Sequence, residues 1–482
     1  MNLSAPINYD LFIDGSWTDT SGLRRIDVVN PANQNVIGNV ANASVDEGLA
    51  AVAAADAAGP AWAATAPRER SLILQKCFEF MREEAEDLAR LITMENGKSL
   101  TDAQGEVAYA AEFFRWFAEE AVRIRGELNT APSGANRMLV HHQPVGVSLL
   151  ITPWNFPAAM ATRKMGPALA AGCTCVLKPA TETPLTAYAI ADIMHRAGVP
   201  KGVVNVITPS KTSEVMGAVI QDDRVRKVSF TGSTQVGRVL LAQAAQNVLK
   251  CSMELGGNAP FIVFEDADLE AAVEGAMIAK MRNGGEACTA ANRFLVHENV
   301  KDRFVAMLSA RMGGLKVGDG LGEGVQCGPM INEGAINTIQ ELVDDAVGAG
   351  ASITTGGNAM EGEGHFFEPT VLTDVPKSAK ILFEEIFGPV APVVTFTDEA
   401  EAIEMANATE YGLVSYLYTN DLARGLRVSE ALEAGMIALN RGLVSDPAAP
   451  FGGTKQSGLG REGSHYGIHE FMEVKYIATD WS

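Results

Sequence analysis

The stretch from Val145 to Gln246 constrains this chain most. Short apolar runs at Val147–Thr152, Thr174–Lys178, Val203–Thr208 and Lys227–Thr231 alternate with helical segments at Ala158–Ala171, Leu185–Ala197, Ser213–Ile220 and Gln235–Gln246. Strand and helix in alternation specify right-handed βαβ units and a parallel sheet. Ligands on such a sheet bind at the carboxyl ends of its strands. The unusual residues collect there, in Thr152-Pro-Trp-Asn-Phe-Pro157, Lys178-Pro-Ala-Thr-Glu-Thr-Pro184 and Phe230-Thr-Gly-Ser-Thr-Gln-Val-Gly237. Gly232, Ser233 and Gly237 open a helix whose N-terminal amides can hold a phosphate. Their spacing is not G-x-G-x-x-G, so the usual dinucleotide fingerprint is absent. Lys178 can reach ribose hydroxyls or a phosphate, or equally face solvent.

With 482 residues the chain exceeds one core and divides into about two or three domains. Ahead of the alternating stretch, Asp-Gly within Leu11–Trp17 signals a hairpin. Ser44-Val-Asp-Glu47 reads as a capping box before an Ala-rich helix ending near Gly59-Pro60. A second helix runs from Pro67 to Glu95. A third runs from Thr101 to Ile124, with Phe113, Phe114, Trp116 and Phe117 as packing residues and Glu119 and Glu120 as a solvated face. Gly126–Ala135 breaks the pattern, and Arg137–Pro144 reads as an exposed strand, an excursion suited to an oligomer contact. Beyond Pro260 a second α/β unit extends to about residue 445. The final segment, Glu473–Thr479, alternates like a strand and is a candidate partner for Arg137–Pro144.

A net charge of −21 and a pI near 4.8 argue against nucleic-acid or anionic-membrane partners. An anionic substrate must then be captured by local arginines. The six cysteines are scattered without metal or C-x-x-C spacing, which indicates a reducing compartment and no metal site. Met1-Asn-Leu-Ser-Ala-Pro is no secretory signal, and no uncharged apolar run approaches a membrane span. A cytoplasmic protein is expected.

Two further stretches carry chemistry. In Met281-Arg-Asn-Gly-Gly-Glu-Ala-Cys-Thr-Ala-Ala-Asn-Arg293, the thiolate of Cys288 is a candidate nucleophile on a turn leaving a helix, with Gly284 and Gly285 permitting close approach. The bland alternative is a small buried hydrophobe. In Cys251-Ser-Met-Glu-Leu-Gly-Gly-Asn258, Glu254 stands among apolar residues, where a raised pKa suits a general base. Its alternative is a surface glutamate before a tight turn.

The motifs Pro-Trp-Asn-Phe-Pro, Phe-Thr-Gly-Ser, Glu-Leu-Gly-Gly, Gly-Glu-x-Cys, Glu384-Glu-Ile-Phe-Gly-Pro and Pro450-Phe-Gly-Gly-x-Lys-x-Ser-Gly, in this order, closely resemble the NAD(P)-dependent aldehyde dehydrogenase superfamily. The resemblance spans essentially the whole chain. Phe366-Phe-Glu-Pro-Thr-Val-Leu372 and Ser457-Gly-Leu-Gly-Arg-Glu-Gly-Ser464 look most like its succinate-semialdehyde dehydrogenase branch. It implies an α/β fold with three parts. A Rossmann-type parallel-sheet cofactor domain (1–125 and 145–250) joins an α/β catalytic domain (251–445) and a small antiparallel oligomerisation element (126–144 and 460–482). A homodimer or homotetramer is implied.

The resemblance also distributes roles. Cys288 would attack the aldehyde carbon, Asn155 and the Cys288 N–H would hold the oxyanion, and Glu254 would activate the hydrolytic water. For NAD or NADP it assigns Lys178 to the adenosine ribose, Ser233 to the pyrophosphate, and Glu385 with Phe387 to the nicotinamide ribose and ring. Thr152, Trp154, Gly232 and Leu255 would border the same crevice. Thr181 stands where NAD-preferring relatives commonly carry glutamate, so NADP is expected to be accepted, although Glu182 is adjacent. Arg163 and Arg282 match a guanidinium clamp for a distal carboxylate, supported by Ser445; either arginine can instead pair with a structural carboxylate.

The implied substrate is a small ω-carboxylate semialdehyde, succinate semialdehyde first, with glutarate, adipate or a broader range as alternatives. Departures from the pattern are Ala290 in place of a second cysteine, which predicts no disulfide switch, and Glu286 in place of glutamine, which could nudge the thiol pKa. Pro209 and the loop Arg441–Ala449 are also individual. The rival readings are a catalytically silent relative and a coenzyme A-acylating enzyme. Retention of Asn155, Glu254 and Cys288 together disfavours both.

Overall fold

A computed structural model describes residues 7–20, 22 and 24–480; the reading of residues 1–6 as carrying no signal lies outside them. The alternating stretch forms five parallel strands, in the spatial order Lys250–Glu254, Val225–Thr231, Val147–Ile151, Cys175–Lys178 and Val204–Val206. Antiparallel strands extend both edges: Gly458–Leu459 beside Lys250–Glu254, and the hairpin Leu11–Ile13/Ser16–Thr18 beside Val204–Val206. The hairpin turns through Asp14 (φ 51°) and Gly15 (φ 71°), the two left-handed residues that a tight primed turn requires. Lys250–Glu254 pairs with Lys227–Thr231 at all five positions, so the division expected after residue 250 falls inside a strand of the first sheet. Main-chain pairing carries the chain to Glu254 before it can leave.

The second unit is a seven-stranded sheet in the order Ser352–Thr355, Thr370–Thr373, Val390–Phe396, Ala291–His297, Ala259–Val263, Val414–Tyr418 and Met436–Leu439. All pairs are parallel except the first. Its strands are apolar on both faces: Phe261 and Phe294 enter one core, Ile262 and Leu295 the other. The small third sheet pairs Met472–Thr479 with Arg137–Pro144 over its whole length, as the alternation suggested, with Glu127–Thr130 on the far side.

Three helix readings are corrected. Helix Val45–Ala64, opened by the Ser44 capping box, runs through Pro60 instead of ending there. The turn beyond the proline buries Trp62 to 1% exposure, a gain of roughly 3 kcal/mol, comparable with the cost of the interruption. The helix read as Pro67–Glu95 breaks at Glu84 into Pro67–Glu83 and Ala85–Asn96. The break aims Leu74, Cys77 and Met81, then Leu88, Leu91 and Ile92, at one core. Helix Leu100–Glu120 starts on the Ser99 side-chain cap and buries Phe113, Phe114 and Phe117 completely. Glu120 is buried as well, paired with Arg123 at 2.8 Å, so only Glu119 belongs to a solvated face.

Among the described residues no helix is long and apolar enough to cross a membrane, and no cluster of His, Cys, Asp or Glu could hold a metal ion.

Candidate active site

The carboxyl ends of the first sheet face the loop that enters strand Ala291–His297 of the second, and a cavity of about 250 Å³ opens between them. The loop begins where helix Leu269–Met281 stops and Asn283, Gly284 and Gly285 all take positive φ. A Cβ on Gly285 would stand 2.3 Å from the Gly388 carbonyl, and one on Gly257 would stand 2.4 Å from that of Cys288. Glycine is therefore required for the two sheets to approach. The result is a half-buried Cys288 in the cavity wall.

The thiol is not a ready thiolate. Burial pushes it up to about 12; Glu385 and Glu254 push the same way, against Arg163 and Arg282. Attack therefore requires a base. Glu254, at the end of strand Lys250–Glu254, is 2% exposed, and its Oε2 has no hydrogen-bond partner. Burial, then the charge of Glu462, holds its carboxyl well above the ordinary range, against Arg163, Lys164 and Arg461. This is no surface glutamate before a turn. Its neighbours Leu255 and Gly256 line the cavity while its own carboxylate sits behind the wall.

Asn155 lines the cavity with Cys288. Its Nδ2 donates one hydrogen to the Glu286 carbonyl at 3.0 Å, which leaves the second free. Glu286 does not act on the thiol as expected. Its side chain turns inward to accept the Ile331 N–H at 3.0 Å, and burial pushes its carboxyl up to about 8.

The two arginines of the expected clamp differ. Arg163 lines the cavity, but it is buried, donates to the Tyr109 hydroxyl at 2.8 Å, lies 3.8 Å over the Phe451 ring and faces Glu462 at 3.4 Å. The structural-carboxylate alternative therefore applies to Arg163, because Glu462 reaches it from a segment that no local pattern connects to it. Arg282 makes no ion pair among the described residues. It lies 4.8 Å over Phe156 and, with Ser445, borders both the main cavity and an adjoining one of about 210 Å³.

Sequence reasoning missed Lys164, Glu462, Tyr109 and Phe451. Lys164 is fully buried and bonded to Glu462 at 2.5 Å and to Ser229 at 3.0 Å. The one available signal was a charged pair, Arg163-Lys164, inside a helix that is otherwise nearly all apolar.

On the first-sheet side, the wall suits a dinucleotide. A Cβ on Gly232 would meet the Phe230 ring at 2.4 Å, and one on Gly237 would meet Leu255 at 2.4 Å. Ser233 caps helix Thr234–Ala244, its hydroxyl accepting the Val236 N–H, and a helix N-terminus of this kind can hold a phosphate. Glu385 accepts the Gly257 N–H at 2.9 Å, and Trp154 meets Phe387 edge to face at 5.4 Å. Trp154, Gly232, Ser233, Leu255, Glu385 and Phe387 line the cavity. Thr152, Lys178 and Thr181 stand outside that wall on neighbouring strand ends. Burial lowers the Lys178 ammonium pKa, against the pull of Glu182, and the Thr181 hydroxyl donates to Glu182 at 3.2 Å.

Known proteins share this construction. The chain is 57% identical to a succinate-semialdehyde dehydrogenase of Paenarthrobacter nicotinovorans over 92% of its own length and 98% of that protein. It is 53% identical to a glutarate-semialdehyde dehydrogenase of Pseudomonas putida, covering 97% and 96% of the two chains. Its fold superposes with a TM-score of 0.97 on the crystal structure of an E. coli NADP-dependent enzyme, at 51% identity and 98% coverage of both chains. The family model described as "Aldehyde dehydrogenase family" matches residues 17–477. With the thiol and amide lining one cleft and the carboxylate buried behind its wall, the chain belongs to the aldehyde dehydrogenase family.

Proposed function

We propose that this oxidoreductase converts an ω-carboxylate semialdehyde to the dicarboxylic acid with NADP or NAD, succinate semialdehyde being the first substrate and glutarate semialdehyde the second. Arg282 carries the reading. On a chain of net charge −21, it is a guanidinium with no salt bridge among the described residues at the junction of two cavities, where Ser445 and the carboxylate of Asp102 line the adjoining cavity with it. A fixed planar cation of this kind favours a carboxylate at the far end of the substrate. The similarity to semialdehyde dehydrogenases supports the same class.

In the proposed chemistry Glu254, ionised above its raised pKa, takes the Cys288 proton, and the sulfur bonds to the aldehyde carbon. The oxyanion is held by the free Asn155 Nδ2 hydrogen and the Cys288 N–H. A bound nicotinamide supplies the hydride acceptor. Once the first proton has passed to solvent, Glu254 takes a proton from the water that attacks the thioester carbon; the carbon–sulfur bond breaks as the acid forms, and Glu254 returns that proton to the departing Cys288 sulfur. Ser233 and the adjacent helix amides hold the pyrophosphate, Glu385 the nicotinamide ribose, and Lys178 the adenosine ribose. Thr181 offers no charge against a 2′-phosphate, which favours acceptance of NADP; a hundredfold preference for NAD in kcat/KM would refute that.

Arg163 serves the thiol more than the substrate tail, since its charge lowers the Cys288 pKa while Glu462 faces it at 3.4 Å. We assign the first sheet to cofactor binding, the second to catalysis and the three-stranded sheet to a homo-oligomer contact. Val474, Tyr476 and Ile477 leave that sheet apolar and exposed. A reducing, cytoplasmic setting suits the six free thiols.

The test is kcat/KM for succinate semialdehyde and butanal in wild type and Arg282→Ala. A charged hydrogen bond contributes about 1.5–3 kcal/mol, so succinate semialdehyde should lose about 10- to 100-fold while butanal changes little. Equal losses for both aldehydes would remove the clamp.

A further inference from the structure

Behind the cavity wall, buried polar side chains tie the Asn155 loop to the Cys288 loop. Lys98, at the turn before helix Leu100–Glu120, is 2% exposed. Its ammonium donates to the Asn155 carbonyl at 2.7 Å and to Glu106 at 2.5 Å. The other Glu106 oxygen accepts the N–H groups of Ala158 and Ala159, at 2.9 and 3.2 Å, in the first turn of helix Pro157–Ala171, which has no side-chain cap of its own. Asn283 donates to the same Asn155 carbonyl at 2.9 Å and to the Glu286 carbonyl at 3.1 Å. The Glu286 carbonyl also accepts the Asn155 side-chain amide. The amide, its own main chain and the residue two before the nucleophile are thus closed into one ring of hydrogen bonds.

Stability does not explain this construction. A buried ion pair seldom outperforms apolar side chains of the same volume. Asn283 holds φ 53°, a left-handed conformation that glycine adopts freely and asparagine tolerates better than most side chains, so the backbone there does not by itself require asparagine. What each residue uniquely provides is a donor aimed at a carbonyl of the Asn155 or Cys288 loop.

We propose that Lys98, Glu106 and Asn283 are positioning residues. They hold the Asn155 amide in the orientation that meets the oxyanion, and so set the rate of the chemical step without setting affinity for aldehyde or cofactor. The proposal rests on the roles given above to Asn155 and Cys288.

The experiment compares wild type with Asn283→Gly, which keeps the backbone conformation and removes the donor, and with Lys98→Met/Glu106→Gln, which keeps volume and removes both charges. Asn155→Ala is the reference. The readouts are the rate of first-turnover NAD(P)H formation, aldehyde KM, cofactor Kd by fluorescence, thermal melting, and alkylation of Cys288 by iodoacetamide, a displacement that forms no oxyanion. Both variants should slow the first turnover by about ten- to a hundredfold, the range that a misplaced catalytic group produces. KM, Kd and alkylation should stay within about threefold of wild type, since misplacing a transition-state donor leaves ground-state binding intact.

Fast variants beside a slow Asn155→Ala enzyme would overturn the positioning role alone. An Asn155→Ala enzyme with wild-type rate would overturn the site reading and this proposal with it. Loss of the cooperative melt in both variants, or slowing matched by changed alkylation and KM, would show a displaced loop and overturn the proposal.

Discussion

The two walls of the cleft are built from different materials. The wall proposed for the cofactor combines strand ends and crowded glycines, Gly232 and Gly237, with the side chains of Trp154, Leu255, Glu385 and Phe387. The other wall, proposed for the aldehyde, is mostly aromatic and apolar side chains, Tyr109, Phe156, Met160 and Phe451 beside Arg163, and behind it Lys164, Glu254 and Glu462 form a buried cluster of charges. A wall with crowded glycines recognises by shape, and an added methyl group is enough to damage it. Buried charges behind a wall act on it through electrostatics, and each group sets the protonation of the next. Glu254 illustrates this, since Glu462 raises its pKa while three cations oppose the rise.

Breaking the cluster behind the aldehyde wall should have the largest effect. Glu254→Gln removes the proposed base and should lower kcat by about 10²- to 10⁴-fold. The reaction uses the ionised carboxylate, whose pKa is raised, so wild-type activity should appear as pH rises through that elevated value and fall away below it. The variant's residual rate should lose that acid limb in a pH–kcat profile. An unchanged profile would exclude Glu254 as the titrating group.

The cofactor wall should respond differently. Gly237→Val places a side chain where Leu255 already stands 2.4 Å from an added Cβ. Overpacking costs about 1–3 kcal/mol, so cofactor KM should rise by about 5- to 100-fold. Aldehyde KM measured at saturating cofactor should stay near wild type, and a parallel rise would blur the division between the walls.

Smaller changes sharpen it. Ser445→Ala removes one neutral hydrogen-bonding group beside Arg282 and should raise KM for succinate semialdehyde by about fivefold, leaving butanal unaffected. Thr181→Glu adds a half-exposed charge worth up to about 1 kcal/mol. It should reduce the NADP-to-NAD ratio of kcat/KM by about two- to fivefold. A rise in that ratio would show that this strand end does not meet the 2′-phosphate.

The same division explains what was legible beforehand. Strand–helix alternation, the Asp14-Gly15 turn, the Ser44 capping box and the glycines beside Cys288 are local, because backbone conformation is decided by a few neighbouring residues. Cys288, Asn155 and Glu254 stand out because motifs mark them; Cys288 and Asn155 line one cleft, with Glu254 buried behind its wall. The helix through Pro60 and the break at Glu84 were misread for the reverse reason, since burial of Trp62 and of Leu88 decided them.

By itself, then, the sequence determined two α/β units, a candidate nucleophile on a glycine-rich turn and an acidic composition that makes any anion site a local exception. Only the tertiary structure decided which of two similar arginines is held in a buried salt bridge. Glu462 reaches Arg163 and Lys164 from the far end of the chain, whereas Arg282 keeps no ion-pair partner among the described residues. Ion pairs between distant segments follow no periodicity along the chain. They are fixed by which strand ends the two sheets present to each other, and the net charge of the cleft is fixed with them.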